Sequence, residues 1–254
     1  MQRNGHYITP SGRHLCVVRN IGSGNFGVAK AVKDSKGDTF CVKELVLCNN
    51  DMRAKMQVLQ EVRVMEKVCE HPNIVKFNES WIQRDRLFIL MEFCNHGSLD
   101  RLIKRYVVAK KRFPTHKVVN YIQELASALH YLHDNLRAMH RDVKPANIFV
   151  DELGTLKLGD FGLAKVLDQG ALTATMCGSP LYMSPEQFAG EPYCFKTDVW
   201  ALGDVSYELV AGHSPWFSPD QPGVLTHPAL VLRITSHRVV FPAGARAHYP
   251  ETLL

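Results

Sequence analysis

In the first ninety positions, apolar residues alternate with polar ones in short runs between glycine- and charge-rich breaks. The stretch HLCVVRNIG, His14 to Gly22, is rich in Val, Leu and Ile and ends in glycine. GVAKAV and TFCVKELVL are two further runs of this kind, joined by the turn-forming KDSKGD, and the three read as successive strands. The period changes near Asp51. Val58, Val62, Met65 and Cys69 recur at steps of four and three, which makes one helical stripe. Pro72 in HPNIV ends it, since proline cannot continue a helix. IVKFNESWI and RLFILMEF then add two strands. The pattern predicts a five-stranded antiparallel sheet with one helix.

After CNHGS the pattern becomes helical. In HKVVNYIQELASALHYLH the residues Val118, Ile122, Leu125, Leu129 and Leu132 form a stripe at steps of four and three. KTDVWALGDVSYELVAG is apolar on nearly every side and reads as a buried helix. The change from strand-rich to helix-rich sequence falls between Cys94 and Gly97. The fold class is therefore α+β, with residues 1–93 as a first lobe and 94–254 as a second.

Composition narrows the partners. The chain has 254 residues, 46% hydrophobic and 22% charged, an ordinary globular balance. A net charge of +5 is modest and spread out, so no nucleic acid partner is indicated. The densest basic run, KRYVVAKKRF, lacks aromatic interleaving and reads as the solvated face of a helix. Seven cysteines, an odd number without CxxC spacing, argue against a disulfide framework and a structural zinc site. No run reaches the ~18 apolar residues of a membrane span, and MQRNGHYITPSG has no apolar signal-peptide core. A reducing, cytoplasmic setting without membrane insertion is expected.

Three constellations carry chemistry. GSGNFG, Gly22 to Gly27, is by itself a weak signal, because Gly-x-Gly-x-x-Gly also opens dinucleotide folds. A dinucleotide site needs a helix straight after the glycines; here VAKAV and a KGD turn make a hairpin, which can lie over phosphates with Phe26 as a cap. In FCVKEL the alternation puts Cys41, Lys43 and Leu45 on one face, and an inward Lys needs an anion. Glu61, on the helix beside Val58 and Met65, is the candidate. Finally, MHRDVKPANIFV sets Asp142, Lys144 and Asn147 within six residues, and LGDFGLA brings Asp160 thirteen residues later. Asn147 and Asp160 are oxygen ligands suited to a hard cation such as Mg²⁺. Asp142 can accept a hydroxyl proton, and Lys144 can neutralise a moving phosphoryl group.

In order and spacing, GSGNFG, CVK, Glu61, HRDVKPAN, DFG and SPE resemble the eukaryotic protein kinases, over nearly the whole chain. HRDVKPANIF, LKLGDFGLAK and GSPLYMSPEQF further resemble the NIMA-related serine/threonine kinases. The resemblance implies a bilobal fold with ATP between the lobes and a protein substrate. Lys43 would hold the α- and β-phosphates and pair with Glu61; Asn147 and Asp160 would bind Mg²⁺ or Mn²⁺; Asp142 would be the catalytic base and Lys144 its companion. Ile21, Gly22, Ser23, Gly24, Gly27, Ala29 and Cys41 would cover the nucleotide. Met91 would guard the back of the pocket, Glu92 and Cys94 would offer hinge backbone groups, and Phe149 would form the floor.

Regulation can be argued from charge. Thr173, Thr175 and Ser179 lie between Asp160 and Glu186, close to Arg141 and Lys165, two cations without evident partners. A phosphate on Thr175, with Thr173 second, would order the segment, installed by an activating kinase or by self-phosphorylation. Ser98 and Ala146 stand where acidic residues would select an upstream Arg, so no strong preference for one is expected despite Glu208. Asp204 sits in an otherwise apolar helix with no evident partner. After ALVLRITSHRVVFP the family continues with helices, one bearing an Arg that pairs with Glu186, so Glu186 is expected to lack that partner. The alternative to an active kinase is therefore an impaired fragment or a pseudokinase-like nucleotide-binding scaffold. The subfamily also suggests a cytoskeletal association.

Overall fold

A computed structural model describes residues 5–24, 27–47, 59, 62–68, 70–167, 172–175, 177–217, 226–236 and 238–254. Its first part is an antiparallel sheet of six strands in the order β1-β2-β3-β4-β6-β5. The strands are β1 (His6–Ile8), β2 (His14–Gly24), β3 (Gly27–Asp34), β4 (Thr39–Val46), β5 (Phe77–Gln83) and β6 (Arg86–Glu92). Five were expected. The extra one, β1, is three residues long, too short for alternation to reveal it, and it exists by pairing its backbone with β2. Ile74 and Val75 drop out of the predicted fourth strand: Val75 N–H donates to the Leu158 carbonyl at 2.9 Å and Ile74 bridges to Leu158.

Helix α1, residues 62–67, lies inside the predicted helical stripe, and its Val62 and Met65 are buried. Asp51, Val58, Glu61 and Cys69 fall outside the described residues. Alternation along β4 is as read from the sequence. Val42 packs with Leu15, Val32, Phe88 and Leu90 on the outer face of the sheet. Leu45 on the other face joins the main core with Met65, Ile89, Leu125 and Leu158.

The second part carries α2 (Leu99–Val108), α3 (Thr115–His130), α4 (Pro185–Phe188), α5 (Lys196–Ala211), α6 (His227–Ser236) and α7 (Ala243–Arg246). The stripe of α3 is buried through Val118, Leu125 and Leu129, and Leu132 continues it into a π turn, Tyr131–Asn135. Each such fully buried Leu stabilises the fold by roughly 1.5–3 kcal/mol. α5 buries most of its surface, including Asp198 and Asp204, while Lys196, Val199 and Gly203 leave one narrow stripe exposed, and it ends at Gly212 in the left-handed conformation that glycine supplies without strain. Short strands complete the lobe: β7 (Gly97–Ser98), β9 (Ile148–Val150) and β10 (Leu156–Leu158) form one sheet, and β8 (Ala138–Met139) pairs with β11 (Lys165–Val166). Among the described residues no helix is long and apolar enough to cross a membrane.

Candidate active site

Lys43 lies on β4 opposite Ala29 of β3 and Ile89 of β6. Its ammonium donates to Asp160 Oδ1 at 2.7 Å, across 117 residues of chain. Asp160 follows β10 and takes a left-handed φ of 60°; Arg141, just before Asp142, has φ of 65°. Such backbone is costly for non-glycine residues and concentrates at functional sites. Burial works against charge on Asp160, but Lys43 above all, with His140 and Lys144 behind it, holds the carboxyl below its ordinary range. The predicted partner Glu61 lies outside the described residues.

Asp142 is the centre of a second knot. Its Oδ2 accepts from Lys144 Nζ at 2.7 Å and from Asn147 Nδ2 at 2.8 Å. Its Oδ1 accepts from the Ser179 hydroxyl at 2.9 Å, and that hydroxyl accepts from Lys144 at 2.7 Å. Asn147 Nδ2 also reaches the Asp142 carbonyl at 2.9 Å, so the amide nitrogen is fixed on Asp142 and Oδ1 is the end left to meet a cation. The two knots are joined by backbone: Gly159 N–H donates to the Asn147 carbonyl at 3.0 Å. Asn147 and Asp160 together therefore offer hard oxygen donors beside Lys43, which fits a divalent cation carried by phosphates.

Ser179 was weighed from sequence only as a phosphosite; here it ties the activation segment to Asp142. Its loop is made possible by Gly178, where φ is 110° and a Cβ would stand 2.7 Å from the Arg141 carbonyl. Asp198 was missed altogether. Fully inside α5, it accepts from the backbone N–H of His140 at 2.9 Å and of Arg141 at 2.8 Å, and pairs with His133 at 2.8 Å. Burial opposes its charge, and these donors outweigh burial and lower its pKa. The signal was present: an acid in the first turn of a helix too apolar to leave it unpartnered.

Ile21, Ala29 and Cys41 on the first sheet and Phe149 on β9 are all half-buried. Cys41 pairs with Met91, and Phe40 with Glu92. Burial pushes the Cys41 thiol up to about 11 and the Cys94 thiol, with Glu92 adding, up to about 12, so both are uncharged packing groups. The Glu92 amide is taken by the Lys76 carbonyl, and its side chain accepts from Lys76 N–H and pairs with Lys157. The Cys94 amide makes no hydrogen bond among the described residues, which leaves a donor at the hinge. Of the glycine loop, Gly22 has open space around it, Ser23 and Gly24 lie at the hairpin end, and Gly27 is needed for packing: a Cβ there would sit 1.7 Å from the Glu44 carbonyl. Phe26 falls outside the described residues.

The activation segment corrects one expectation. Arg141 and Lys165 have partners: Arg141 Nε donates to the Leu163 carbonyl at 2.6 Å, and Lys165 to the Thr173 hydroxyl at 3.0 Å. Neutral acceptors can satisfy a cation's hydrogen bonds without cancelling its charge, and composition could not reveal them. Thr173 is buried and bridged to Tyr193 by two backbone bonds; Thr175 is exposed, and its carbonyl accepts from the Tyr193 hydroxyl at 2.5 Å. Glu186 makes no ion pair among the described residues.

A lysine–aspartate pair joined through backbone to an Asp-Lys-Asn loop is an arrangement of the protein kinase class. The protein kinase domain model matches residues 15–237, and the chain belongs to that family. Its relatives are NIMA-related serine/threonine kinases. It is 39% identical to the serine/threonine-protein kinase Nek4 of Mus musculus over 76% of this chain and 24% of that protein. It is 38% identical to the G2-specific protein kinase fin1 of Schizosaccharomyces pombe over 76% and 30%. It is 35% identical to the probable serine/threonine-protein kinase nek2 of Dictyostelium discoideum over 81% and 50%. The matches thus span between 24% and 50% of these relatives' own length.

Proposed function

We propose that this chain transfers the γ-phosphoryl group of ATP to serine or threonine hydroxyls of protein substrates. The observation that carries the reading is the pair of knots, Lys43–Asp160 and Lys144–Asp142–Asn147, with bonds of 2.7–2.8 Å, joined by the Gly159 N–H to the Asn147 carbonyl at 3.0 Å. Adenine packs between Ile21, Ala29 and Cys41 above and Phe149 below, with the Cys94 amide and the Glu92 carbonyl facing its edge and Met91 behind it. Lys43 holds the α- and β-phosphates while Asp160 keeps it in place. Asn147 and Asp160 hold Mg²⁺, or Mn²⁺ in its place, which when bound supplies positive charge to the phosphate oxygens. Asp142 orients the substrate hydroxyl and accepts its proton, and Lys144 neutralises charge on the moving group.

The nucleotide-binding lobe is 1–93 and the substrate lobe 94–254 in this reading. Phosphate on the exposed Thr175, added by another kinase or by a second copy, fits the cations Arg141 and Lys165; the buried Thr173 fits less well. The unpaired thiols among the described residues are in keeping with a reducing cytoplasmic setting, and a cytoskeletal association rests on the subfamily alone. The test is phosphorylation of casein with labelled ATP. Lys43→Met and Asp142→Asn should each lower turnover by about 10³-fold or more, as loss of groups acting in the transition state does, while circular dichroism stays unchanged. Near wild-type turnover in either variant refutes the assignment.

A further inference from the structure

The three-residue strand β1 has no part in the site described above, yet it reaches the strands that form the nucleotide's roof. β1 pairs antiparallel with the far end of β2, His6 with Cys16, Tyr7 with Leu15 and Ile8 with His14. Gly5 extends the contact by accepting from Val17 N–H at 3.0 Å. Beyond that point β2 has β3 as its sole neighbour in the sheet, and the β2–β3 register slips twice, between Val17 and Arg19 and between Asn20 and Gly22. Bulges bend a ladder and loosen its pairing. The glycine hairpin is therefore positioned from its base.

Tyr7 crosses from this base to the outer face of the sheet. Its ring lies 5.5 Å from Phe88 and 6.3 Å from Trp81, which are themselves stacked at 5.2 Å. Its hydroxyl donates to Glu44 and accepts from Lys30 Nζ at 2.9 Å, and Lys30 also bonds Glu44. Arg86 adds a donor to Glu44 Oε2 at 3.1 Å. The Glu44 side chain is only 8% exposed. Burial opposes its charge, and Lys30 and Tyr7 outweigh burial to keep it ionised. A buried carboxylate of this kind holds its donors firmly, because losing one leaves charge uncompensated.

Side chains alternate across a strand. Lys30 and Glu44 on the outer face are the chain neighbours of Ala29 and Lys43 on the inner face, and Ala29 and Lys43 are register partners. We propose that β1 is a strap: through Tyr7 it locks Lys30 and Glu44 from behind, and so positions Ala29, Lys43 and the glycine hairpin for ATP. Tyr7 and Glu44 are positioning residues in this scheme, which rests on ATP binding beneath the sheet.

The experiment uses the full chain. The dissociation constant for Mg²⁺·ATP and the KM for ATP are measured for the wild type, Tyr7→Phe and Tyr7→Ala. Coupling between neighbouring groups sets the scale: about tenfold weaker ATP binding in Tyr7→Ala and about threefold in Tyr7→Phe, which keeps the ring. The kcat at saturating ATP and the KM for the protein substrate should hold. KM does not depend on the folded fraction, so a role confined to stability would lower apparent kcat and melting temperature and leave the KM for ATP alone. That outcome overturns the strap while leaving the nucleotide site intact. Absence of any ATP binding by the wild type overturns the site itself, and the strap with it.

Discussion

Asp204 is the least expected residue in the fold. It lies in the middle of α5 and is 5% exposed, and its Oδ2 has no hydrogen-bond partner among the described residues. One turn before it is Trp200, stacked on Trp216 at 5.9 Å with the rings 2° from parallel, and among the described residues neither indole N–H makes a well-formed hydrogen bond, although both lie close enough to Asp204 to act on its charge. Burial pushes the Asp204 carboxyl from 3.8 up to about 8; the nearby indole dipoles of Trp216 and Trp200 oppose this, and Glu208 one turn on reinforces it. The carboxyl is therefore protonated in the native state at neutral pH. Because the folded pKa is raised, the unfolded chain loses this proton first, and the native state is destabilised as pH climbs from about 4 to about 8, with no further change above. At 1.36 kcal/mol per unit, the cost is about 2 kcal/mol at pH 5, about 4 at pH 7 and about 5 at pH 8. Asp204→Asn has the shape of the protonated acid and nothing to titrate. Its stability advantage over the wild type should widen by about 3–4 kcal/mol between pH 5 and pH 8, or about 10 °C in melting temperature for a chain of this size. Differential scanning calorimetry at both pH values on both proteins measures it. A difference that stays flat with pH would show that Asp204 is ionised and solvated in the native state, and the reasoning would be wrong.

Two further outcomes follow from the activation segment. Ser179→Ala removes the hydroxyl that joins Lys144 to Asp142, a bond to charged groups, so kcat/KM for a protein substrate should fall about 10- to 100-fold while ATP affinity holds; Ser179→Thr should restore most of it, and full activity in the alanine variant would remove Ser179 from the site. Thr175→Ala, compared with the wild type before and after phosphatase treatment, should lose the stimulation that phosphorylation gives and match the dephosphorylated wild type; unchanged stimulation would move the regulatory phosphate elsewhere.

What the sequence disclosed follows from the range of each signal. The inner face Cys41, Lys43, Leu45 could be read because alternation is a property of adjacent residues, and the α3 stripe because it repeats over several turns. The set HRDVKPAN and DFG could be read because fixed spacing within a loop survives without knowledge of tertiary structure. For Asp198 the sequence showed an acid in an apolar helix but not its partners, the backbone amides of His140 and Arg141, 57–58 residues away, because backbone groups leave no mark in composition. The same holds for Lys165, whose partner is a neutral hydroxyl, and for β1, whose three residues form a strand only because the edge of β2 is there to receive them. Pairing with groups outside the residue's own element, not local propensity, decided each of these.

The two halves of the cleft are held in physically different ways. The left-handed Arg141 costs about 1–3 kcal/mol of backbone strain, and Asp198 offsets it by taking the Arg141 amide from inside α5. Asp142 is then gripped by Lys144, Asn147 and Ser179, so the groups that handle the hydroxyl are pinned to a buried helix and to the activation segment at once. The nucleotide half has no such anchor. Its glycine hairpin projects beyond the last β1 pairing, and its fixed point is the Tyr7–Glu44–Lys30 knot on the opposite face of the sheet. Lys43 lies between the halves: its ammonium has three donors, so it can keep Asp160 while reaching a phosphate. Changes in the outer knot should therefore be felt as nucleotide affinity, and changes around Asp198 or Ser179 as turnover, because each set of bonds grips a different half of the site.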